Sequence, residues 1–175
     1  MTSVSIRPGT AADIPAITRI YAHAVRHGTA SFELDPPDAA EMARRRQALL
    51  DGGYPYIVGA GGGAVLGYAY AAPFRPRPAY RYCVEDSVYV APEAFRRGIG
   101  RALLDALILR ATELGFRQMI AVIGDSALQG ASIALHERAG FRTVGLFDAV
   151  GYKHGRWLDS VYLQRALGTG ADAPP

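Results

Sequence analysis

The 175-residue sequence has one cysteine, no long apolar run and no extended block of like charge. The single thiol, Cys83, excludes an internal disulfide and most cysteine-based metal sites. No stretch approaches the roughly 18 consecutive apolar residues of a membrane-spanning helix. The opening residues, MTSVSIRPGT, lack the apolar core of a secretory leader. These absences predict a cytoplasmic protein without a membrane segment.

Charge and length narrow the possible classes further. The formal net charge of +3, from 19 basic against 16 acidic residues, is too small to indicate a nucleic-acid-binding protein. A chain of 175 residues with 50% hydrophobic composition suits one domain with a sizeable core. We therefore expect a single domain over residues 1–167, followed by a disordered tail at 168–175.

Two histidines, His23 and His27, stand four residues apart on a predicted helix, a spacing that metal sites also use. No Glu, Asp or Cys close to them in sequence completes a ligand set. We interpret the pair as surface residues and expect no metal.

A strand, a glycine turn and a helix follow one another between Glu85 and Leu104. Residues 87–90 are rich in Val and Tyr, and the run RRGIG at 96–100 leads directly into a helix-forming stretch. Glycines permit positive φ, the helix start adds partial positive charge, and two arginines add whole charges. The segment therefore predicts a pyrophosphate site. It is not a dinucleotide-binding G-x-G-x-x-G, which would need glycine at Leu103, and the Gly-Lys-Ser/Thr of a P-loop is absent.

Periodicity and turn residues predict the order strand, helix, helix, three strands, helix, strand, helix and two strands. The pattern Asp38-x-x-Glu41 predicts the start of the second helix. The strands are predicted at 4–7, 56–60, 65–71, 80–90 and 118–123, and two more flank a loop at 151–156. Because strands and helices are mixed rather than strictly alternating, the order predicts an α+β fold.

The glycine turn resembles the pyrophosphate loop of the GCN5-related N-acetyltransferases (GNAT). Gly98 and Gly100 fill the glycine positions of that loop, whereas Phe95 stands where the family has Gln or Arg. The segments CVEDSVYV, SIALHERAGF and GYKHGRWLD resemble the phosphinothricin and methionine sulfoximine acetyltransferase branch. The residues of the last segment that fit this branch are Gly151, Lys153, Gly155, Trp157 and Asp159. The resemblance implies the three-layer α/β/α GNAT fold, with helices on both faces of a mixed central sheet.

Acetyl transfer from a thioester to an amine requires a deprotonated amine and a proton for the leaving thiolate. Glu85 lies where a carboxylate could take the ammonium proton, directly or through water. His136 follows Ser132 by four residues, on one helix face, and a neutral imidazole suits proton transfer near pH 7. An exposed strand-end glutamate and a hydrogen-bonded structural histidine are the alternatives. The resemblance implies catalytic roles for both, because the branch has Glu and His at these positions.

The resemblance also implies acetyl-CoA as the cofactor. The strand residues implied to contact its pantetheine arm through their backbone are Val88, Tyr89 and Val90. The loop and helix residues implied at its pyrophosphate are Phe95, Arg96, Arg97, Gly98, Ile99, Gly100 and Arg101. Gln129 aligns with a cofactor-binding asparagine of the branch, in a loop one residue longer than usual, and Ser132 follows it.

A glutamate-like acceptor presents a carboxylate and a second polar head group, which cationic and aromatic side chains can bind. The candidates for this pocket are Phe32, Arg75, Tyr80, Arg81 and Lys153. The sequence thus predicts an N-acetyltransferase of a small amino-acid-like amine, of the phosphinothricin or methionine sulfoximine type. Transfer to another small amine, or a non-catalytic acyl-CoA-binding module, are the alternatives.

Relatives in this branch are commonly homodimers. Apolar and aromatic residues near the C-terminal strands, Phe147, Tyr152 and Trp157, suit an interface between two copies. We therefore expect a homodimer.

Overall fold

The computed structural model describes residues 4–175 and contains the predicted order of helices and strands. The helices are α1 (Ile14–His27), α2 (Ala39–Asp51), α3 (Ile99–Glu113) and α4 (Gly130–Arg138). The strands are β1 (Ser5–Pro8), β2 (Tyr56–Gly61), β3 (Ala64–Pro73), β4 (Cys83–Val90), β5 (Gln118–Gly124), β6 (Arg142–Lys153) and β7 (Arg156–Ala166). The α+β prediction is confirmed.

The seven strands form one sheet in the order β1-β2-β3-β4-β5-β7-β6. Every neighbouring pair is antiparallel except β4 and β5, which run parallel. A parallel pair needs a crossover connection, and α3 supplies it. The sheet is therefore mixed, with its single parallel junction at the strand that precedes the glycine turn.

β3 shows how the helices are divided between the two faces of the sheet. Successive side chains of a strand point to opposite faces. Tyr68 and Tyr70 lie beside Met42 of α2, on the α1–α2 face. On the α3–α4 face, a Cβ added at Gly67 would lie 3.0 Å from a methyl group of Leu103 in α3. The three-layer α/β/α arrangement is confirmed.

The local signals at helix ends work as the sequence predicts. The Asp38 carboxylate accepts a hydrogen bond of 2.8 Å from the Glu41 backbone N–H and so caps α2. Pro15 lies in the first turn of α1, where its missing N–H leaves no helical bond unmade. Ile17 and Val25 of the same helix are fully buried, which at roughly 1.5–3 kcal/mol per side chain holds α1 to the sheet.

Two predicted boundaries are wrong. The strand predicted from residue 80 begins at Cys83, because Pro78 starts a 3-10 turn that ends at Tyr80. The loop predicted at 151–156 is a tight hairpin, in which β6 continues to Lys153. His154 and Gly155 form its turn, with φ of 51° and 76°, the positive values that two-residue hairpins favour.

The last eight residues lie beside the start of β5. The Arg117 guanidinium donates hydrogen bonds to the backbone carbonyls of Ala173 and Pro174, at 3.1 and 2.8 Å. The domain limit at residue 167 and the disorder of the tail stay predictions. Across residues 4–175, no helix combines the length and the apolarity needed to cross a bilayer.

Candidate active site

A cleft opens where β4 and β5 separate. The two strands pair only from Cys83 with Gln118 to Glu85 with Ile120, and then diverge. On its other side β4 stays paired with β3 as far as Val90. The backbone of β4 from residue 86 to 90 therefore has a free edge within the described structure. This edge can bind an extended ligand by strand-like hydrogen bonds.

Residues from three elements line this cleft. They include Val88 and Tyr89 of β4, Ile123 of β5, and Gln129, Ser132 and His136 at and within α4. The predicted strand contacts at Val88, Tyr89 and Val90 thus lie on the exposed edge of β4. The geometry suits backbone contacts there, and those contacts stay a prediction.

The glycine turn ends at the N-terminus of α3, close to β4. Gly98 has φ of 77° and immediately precedes the helix, which no side chain caps. A Cβ on Gly98 would meet nothing within 4 Å, so glycine is needed for the conformation rather than for space. Gly100 lies within the first helical turn, and its φ is not positive. The uncapped first-turn N–H groups and the helix dipole make this end an anion site.

The residues around the turn differ in what they can offer a ligand. Phe95 and Arg97 are exposed, and Arg96 is exposed with a positive φ of 61°. The Ile99 side chain is buried in the core, so only its backbone N–H is available. Arg101 is engaged within the protein: its guanidinium lies 2.6 Å from the Asp105 carboxylate.

His136 is buried at the wall of the cleft and bonded at both ring nitrogens. Its Nε2 lies 3.0 Å from Oδ2 of Asp86, and its Nδ1 lies 2.8 Å from the backbone carbonyl of Ser132. Burial alone would lower the pKa of His136, but the hydrogen bond and charge of Asp86 outweigh it and raise the pKa above its ordinary value. This direction favours the charged form more than in an ordinary histidine, and the neutral imidazole expected from the sequence stays a prediction.

Glu85 lies on the opposite face of β4 from His136. Strand alternation sends Glu85, Ser87 and Tyr89 toward α1, where Tyr89 packs edge-on against Tyr21 at 5.0 Å between ring centroids. Burial and the neighbouring Asp86 charge raise the pKa of Glu85, an effect that Arg75 partly offsets. The two predicted catalytic residues are thus separated by the backbone of β4.

Gln129 and Ser132 both lie at the cleft, in different roles. The Gln129 side-chain amide donates to Oγ1 of Thr29 at 3.3 Å, which ties the start of α4 to the loop after α1. Ser132 presents its backbone carbonyl to His136. The predicted cofactor contact of Gln129 stays a prediction, and its amide already has a protein partner.

Phe32 lies across the ends of β5 and β6. A Cβ on either Gly124 or Gly151 would overlap its ring. The ring can therefore occupy this position only if both residues lack a side chain. The ring is 37% exposed, which leaves part of it open beside the cleft. Phe32 is therefore held rigidly enough to form one wall of an acceptor pocket.

Lys153 is placed differently from the predicted acceptor contact. It is 3% exposed, and its ammonium donates to the backbone carbonyl of Ser31 at 2.6 Å. Burial lowers its pKa, against a smaller opposing effect of the Glu33 charge. A side chain this enclosed cannot reach a bound acceptor in this conformation. Lys153 instead anchors the loop that carries Phe32.

The other three acceptor candidates lie on the connection between β3 and β4. Arg75 stacks on the Phe74 ring at 5.1 Å, and Arg81 stacks on Tyr82 at 4.5 Å. Tyr80 packs edge-on against Phe74 at 5.8 Å. All three candidates are exposed, and Arg75 is the one among them whose charge lowers the pKa of Glu85. They are available to an anionic ligand at this side of the molecule.

Sequence reasoning missed Asp86, the partner of His136. One signal existed, because Val84, Asp86, Val88 and Val90 share a face of β4, and an acidic residue in that apolar register is unusual. It also missed the buried Asp125 directly after β5, whose carboxylate pairs with Arg156 at the start of β7. No local pattern indicates that second pair.

His23 and His27 contact each other on α1, with ring centroids 4.8 Å apart. Within residues 4–175, no three His, Cys, Asp or Glu side chains are grouped as metal ligands.

Comparisons with known proteins agree on one family. The protein-family model described as an acetyltransferase (GNAT) domain matches residues 6–162. The chain is 52% identical to a phosphinothricin N-acetyltransferase of Alcaligenes faecalis over 93% of this chain and 82% of that protein. It is 42% identical to an L-methionine sulfoximine/L-methionine sulfone acetyltransferase of Pseudomonas aeruginosa, over 98% and 99%. The crystal structure of a GNAT-superfamily phosphinothricin acetyltransferase from Sinorhizobium meliloti, in complex with AcCoA, matches with a TM-score of 0.95 and 52% identity, over 98% of this chain and 92% of that one.

Proposed function

The chain belongs to the acetyltransferase (GNAT) family, and we propose that it acetylates the amine of small amino-acid-like molecules with acetyl-CoA as donor. The observation that carries this proposal is the free edge of β4, with Glu85 on one face and His136 on the other. The relatives named above act on phosphinothricin or on methionine sulfoximine and sulfone. We propose acceptors of the same type for this chain.

The residues present fit acetyl-CoA. The edge of β4 at residues 86–90 offers backbone donors and acceptors to the amides of an extended pantetheine arm. The N-terminus of α3, with Gly98 in its left-handed conformation, offers N–H groups to a pyrophosphate. Arg96 and Arg97 lie beside it and add positive charge. When bound, acetyl-CoA supplies an acyl group activated as a thioester.

The chain's own residues then perform two proton transfers. Glu85 accepts the proton of the acceptor's ammonium group, a task for which its raised pKa brings it closer to neutral pH. His136 donates a proton to the leaving sulfur, a task that its raised pKa supports. β4 lies between them, so the base and the acid do not neutralise each other by direct contact.

The acceptor pocket that we propose combines Phe32 with the exposed cations of the β3–β4 connection. The guanidinium groups of Arg75 and Arg81 can bind a carboxylate or a phosphinate with paired hydrogen bonds. Tyr80 and Phe32 supply apolar walls. These cations disfavour a polyamine acceptor, because like charges would meet in the pocket.

A thiol-release assay with a panel of amines tests this function. The panel contains amino acids, methionine sulfoximine, phosphinothricin and a polyamine. We expect release of CoA thiol with the amino-acid-like amines and little with the polyamine. Preference for the polyamine would contradict the acceptor class. Binding of acetyl-CoA without thiol release from any amine would favour a non-catalytic acyl-CoA-binding module.

We also propose that the enzyme is a homodimer joined through the β6–β7 hairpin. β6 is the edge strand of the sheet, and five large apolar residues of the β6–β7 hairpin are more than half exposed: Leu146, Phe147, Val150, Tyr152 and Trp157. Exposed apolar patches of this kind mark interfaces. Light scattering at micromolar concentration should give twice the monomer mass, and Trp157→Arg should shift it toward the monomer. A monomer in the wild type would contradict the proposal.

The cytoplasm is the compartment that we propose. Cys83 is the single cysteine and a free thiol, so the fold needs no oxidising environment. Fractionation of cells that express the chain should recover it with cytoplasmic markers, and recovery elsewhere would contradict this.

A further inference from the structure

The ring of His136 is held between two oxygen atoms. Nε2 faces Oδ2 of Asp86 at 3.0 Å, and Nδ1 faces the carbonyl oxygen of Ser132 at 2.8 Å. A carbonyl oxygen can only accept a hydrogen bond, so Nδ1 must carry a proton. The remaining question is which atom holds the proton between Nε2 and Asp86.

The position of this proton follows from the number of protons that the two contacts of the ring require. A neutral imidazole has one N–H, and Nδ1 already uses it. The contact of Nε2 with Asp86 therefore needs one more proton, on the ring or on the carboxyl group. Imidazole is a stronger base than a carboxylate, so the proton belongs to the ring. His136 is then an imidazolium paired with an ionised Asp86.

The pair is shielded from solvent and faces the cleft. The side chains of His136 and Asp86 are 5% and 2% exposed. The second carboxylate oxygen of Asp86, Oδ1, is buried and has no hydrogen-bond partner within residues 4–175. A buried carboxylate with one unbonded oxygen is costly unless an adjacent cation compensates its charge. The imidazolium supplies that compensation.

No other charged group contacts the ring among the described residues. Phe141 packs edge-on against the ring at 5.1 Å between centroids, and β5 contains no ionisable side chain. Besides Asp86, the charged side chains on the surrounding elements form no hydrogen bond or salt bridge with the ring: they are Glu85 on β4, Glu137 and Arg138 on α4, Arg101, Asp105, Arg110 and Glu113 on α3, and Arg142, Asp148 and Lys153 on β6. The protonation state of His136 therefore depends on Asp86.

We propose that Asp86 is a positioning residue for acetyl transfer, which keeps the His136 ring doubly protonated at the cleft so that the pair stores the proton taken by the leaving sulfur. The proposal rests on the function given above and adds a residue to it. When the sulfur takes the proton, the Nε2–H bond of the ring breaks and an S–H bond forms, while Nδ1–H stays bonded to the Ser132 carbonyl. The ring becomes neutral with one N–H, and Asp86 stays ionised. Solvent returns the proton after the thiol leaves.

NMR of the full chain labelled with ¹⁵N-histidine tests the protonation state without any ligand. The chain has four histidines, and His136→Gln identifies the signal of His136. We expect the wild-type ring to keep two N–H groups above about pH 6.5, the ordinary pKa of a histidine. In Asp86→Asn, an amide N–H can donate to Nε2, so the ring should become neutral at lower pH. A wild-type His136 that loses its second N–H at or below about pH 6.5 would overturn the proposal, whatever the fate of the variant.

Rates measured across pH test the catalytic part. General acids contribute on the order of 10²-fold to 10⁴-fold. Asp86→Asn should approach wild-type kcat at acidic pH and lose activity on alkalinisation earlier than wild type, with little change in the KM for acetyl-CoA. Asp105→Asn, which removes an exposed carboxylate of α3, is the matched control and should follow the wild-type profile. An Asp86→Asn profile identical to wild type would overturn the proposal.

The two experiments separate this inference from the function beneath it. If amines are acetylated while Asp86→Asn changes neither the NMR titration nor the pH profile, the role of Asp86 fails and the function stands. If the ring is doubly protonated but no amine is acetylated, the acetyl transfer fails, and with it the destination of the stored proton.

Discussion

Glu85 and Asp86 are adjacent in sequence, yet they stand in different chemical surroundings. Glu85 points to the α1–α2 face of β4, near Arg75 and the exposed connection between β3 and β4. Asp86 points to the α3–α4 face, where it is buried and bonded to His136. Burial raises the pKa of the first carboxyl group, and the second raises the pKa of its histidine partner.

The difference shows how one strand can serve two opposite proton transfers. Side chains alternate along a strand, so a single residue step moves a carboxylate from one face to the other. The β4 backbone separates a base for the incoming amine from an acid for the outgoing thiolate. Glu85 and His136 thereby avoid a direct contact in which the base would take the proton of the acid.

The largest expected effect comes from removing the base on the α1–α2 face. Glu85→Gln should lower kcat at neutral pH on the order of 10²-fold to 10⁴-fold, because the amide cannot accept the ammonium proton. Acetyl-CoA affinity, measured by calorimetry, should change little. Because burial raises the pKa of Glu85, the wild-type rate should fall on acidification at a higher pH than for an ordinary glutamate.

Glu113→Gln is the matched control, since Glu113 is a half-exposed carboxylate at the far end of α3. It should keep the wild-type rate. A Glu85→Gln variant with wild-type kcat across the pH range would remove Glu85 from the mechanism.

The next effect concerns the ligand that both faces share. Gly98→Val forces a β-branched residue into a left-handed conformation, at a cost of about 1–3 kcal/mol. If the turn relaxes to avoid this strain, acetyl-CoA affinity should fall roughly tenfold to a hundredfold. Gly62→Val is the control: Gly62 has φ of 60° in the β2–β3 hairpin, equally open but distant from the cleft. Equal acetyl-CoA affinity in the two folded variants would contradict the assignment of the turn.

A moderate effect is expected at the loop that carries Phe32. Lys153→Met keeps most of the side-chain volume but leaves the Ser31 carbonyl without its donor, which should cost about 1–3 kcal/mol in the free energy of unfolding. Amide exchange in residues 29–33 should rise, and the KM for the amine should rise more than the KM for acetyl-CoA. Arg142→Met, an exposed cation lost from the same strand, should stay within about 0.5 kcal/mol of wild type. A rise in acetyl-CoA KM alone would contradict the anchoring role.

The smallest effect is expected from the exposed arginines of the turn. Arg96→Ala and Arg97→Ala should each weaken acetyl-CoA binding a few-fold at low salt. The loss should shrink as salt rises, because exposed charges are screened within about 8 Å at physiological ionic strength. Arg110→Ala, at the opposite end of α3, should show no such salt dependence. A loss that salt leaves unchanged would indicate a role for these arginines other than charge.

Much of the fold follows from local signals in the sequence. The capping pair Asp38 and Glu41 marks the start of α2, and the glycine turn marks the start of α3. These signals act over a few residues, so a single sequence contains them. Glu85 and His136 could also be selected as candidates from the sequence, because each lies in a short segment that resembles the family.

The partners of the site residues could not be predicted, because they come from distant parts of the chain. Asp86 and His136 are 50 positions apart, and Lys153 and Ser31 are 122 positions apart. A lysine in a strand is usually exposed, so the sequence favoured a ligand contact for Lys153 over burial. These groups come together only when β4, α4 and the β6–β7 hairpin pack in the folded protein.

The pH–rate profiles of Glu85→Gln and His136→Ala, measured side by side with the same amine, test whether Glu85 is the base and His136 the acid. Alkaline solution deprotonates the amine and so replaces a missing base, but it supplies no acid. We expect Glu85→Gln to recover activity as pH rises and His136→Ala not to recover it. Superimposable profiles of the two variants, with acetyl-CoA still bound, would contradict the division of the two proton transfers between the faces of β4.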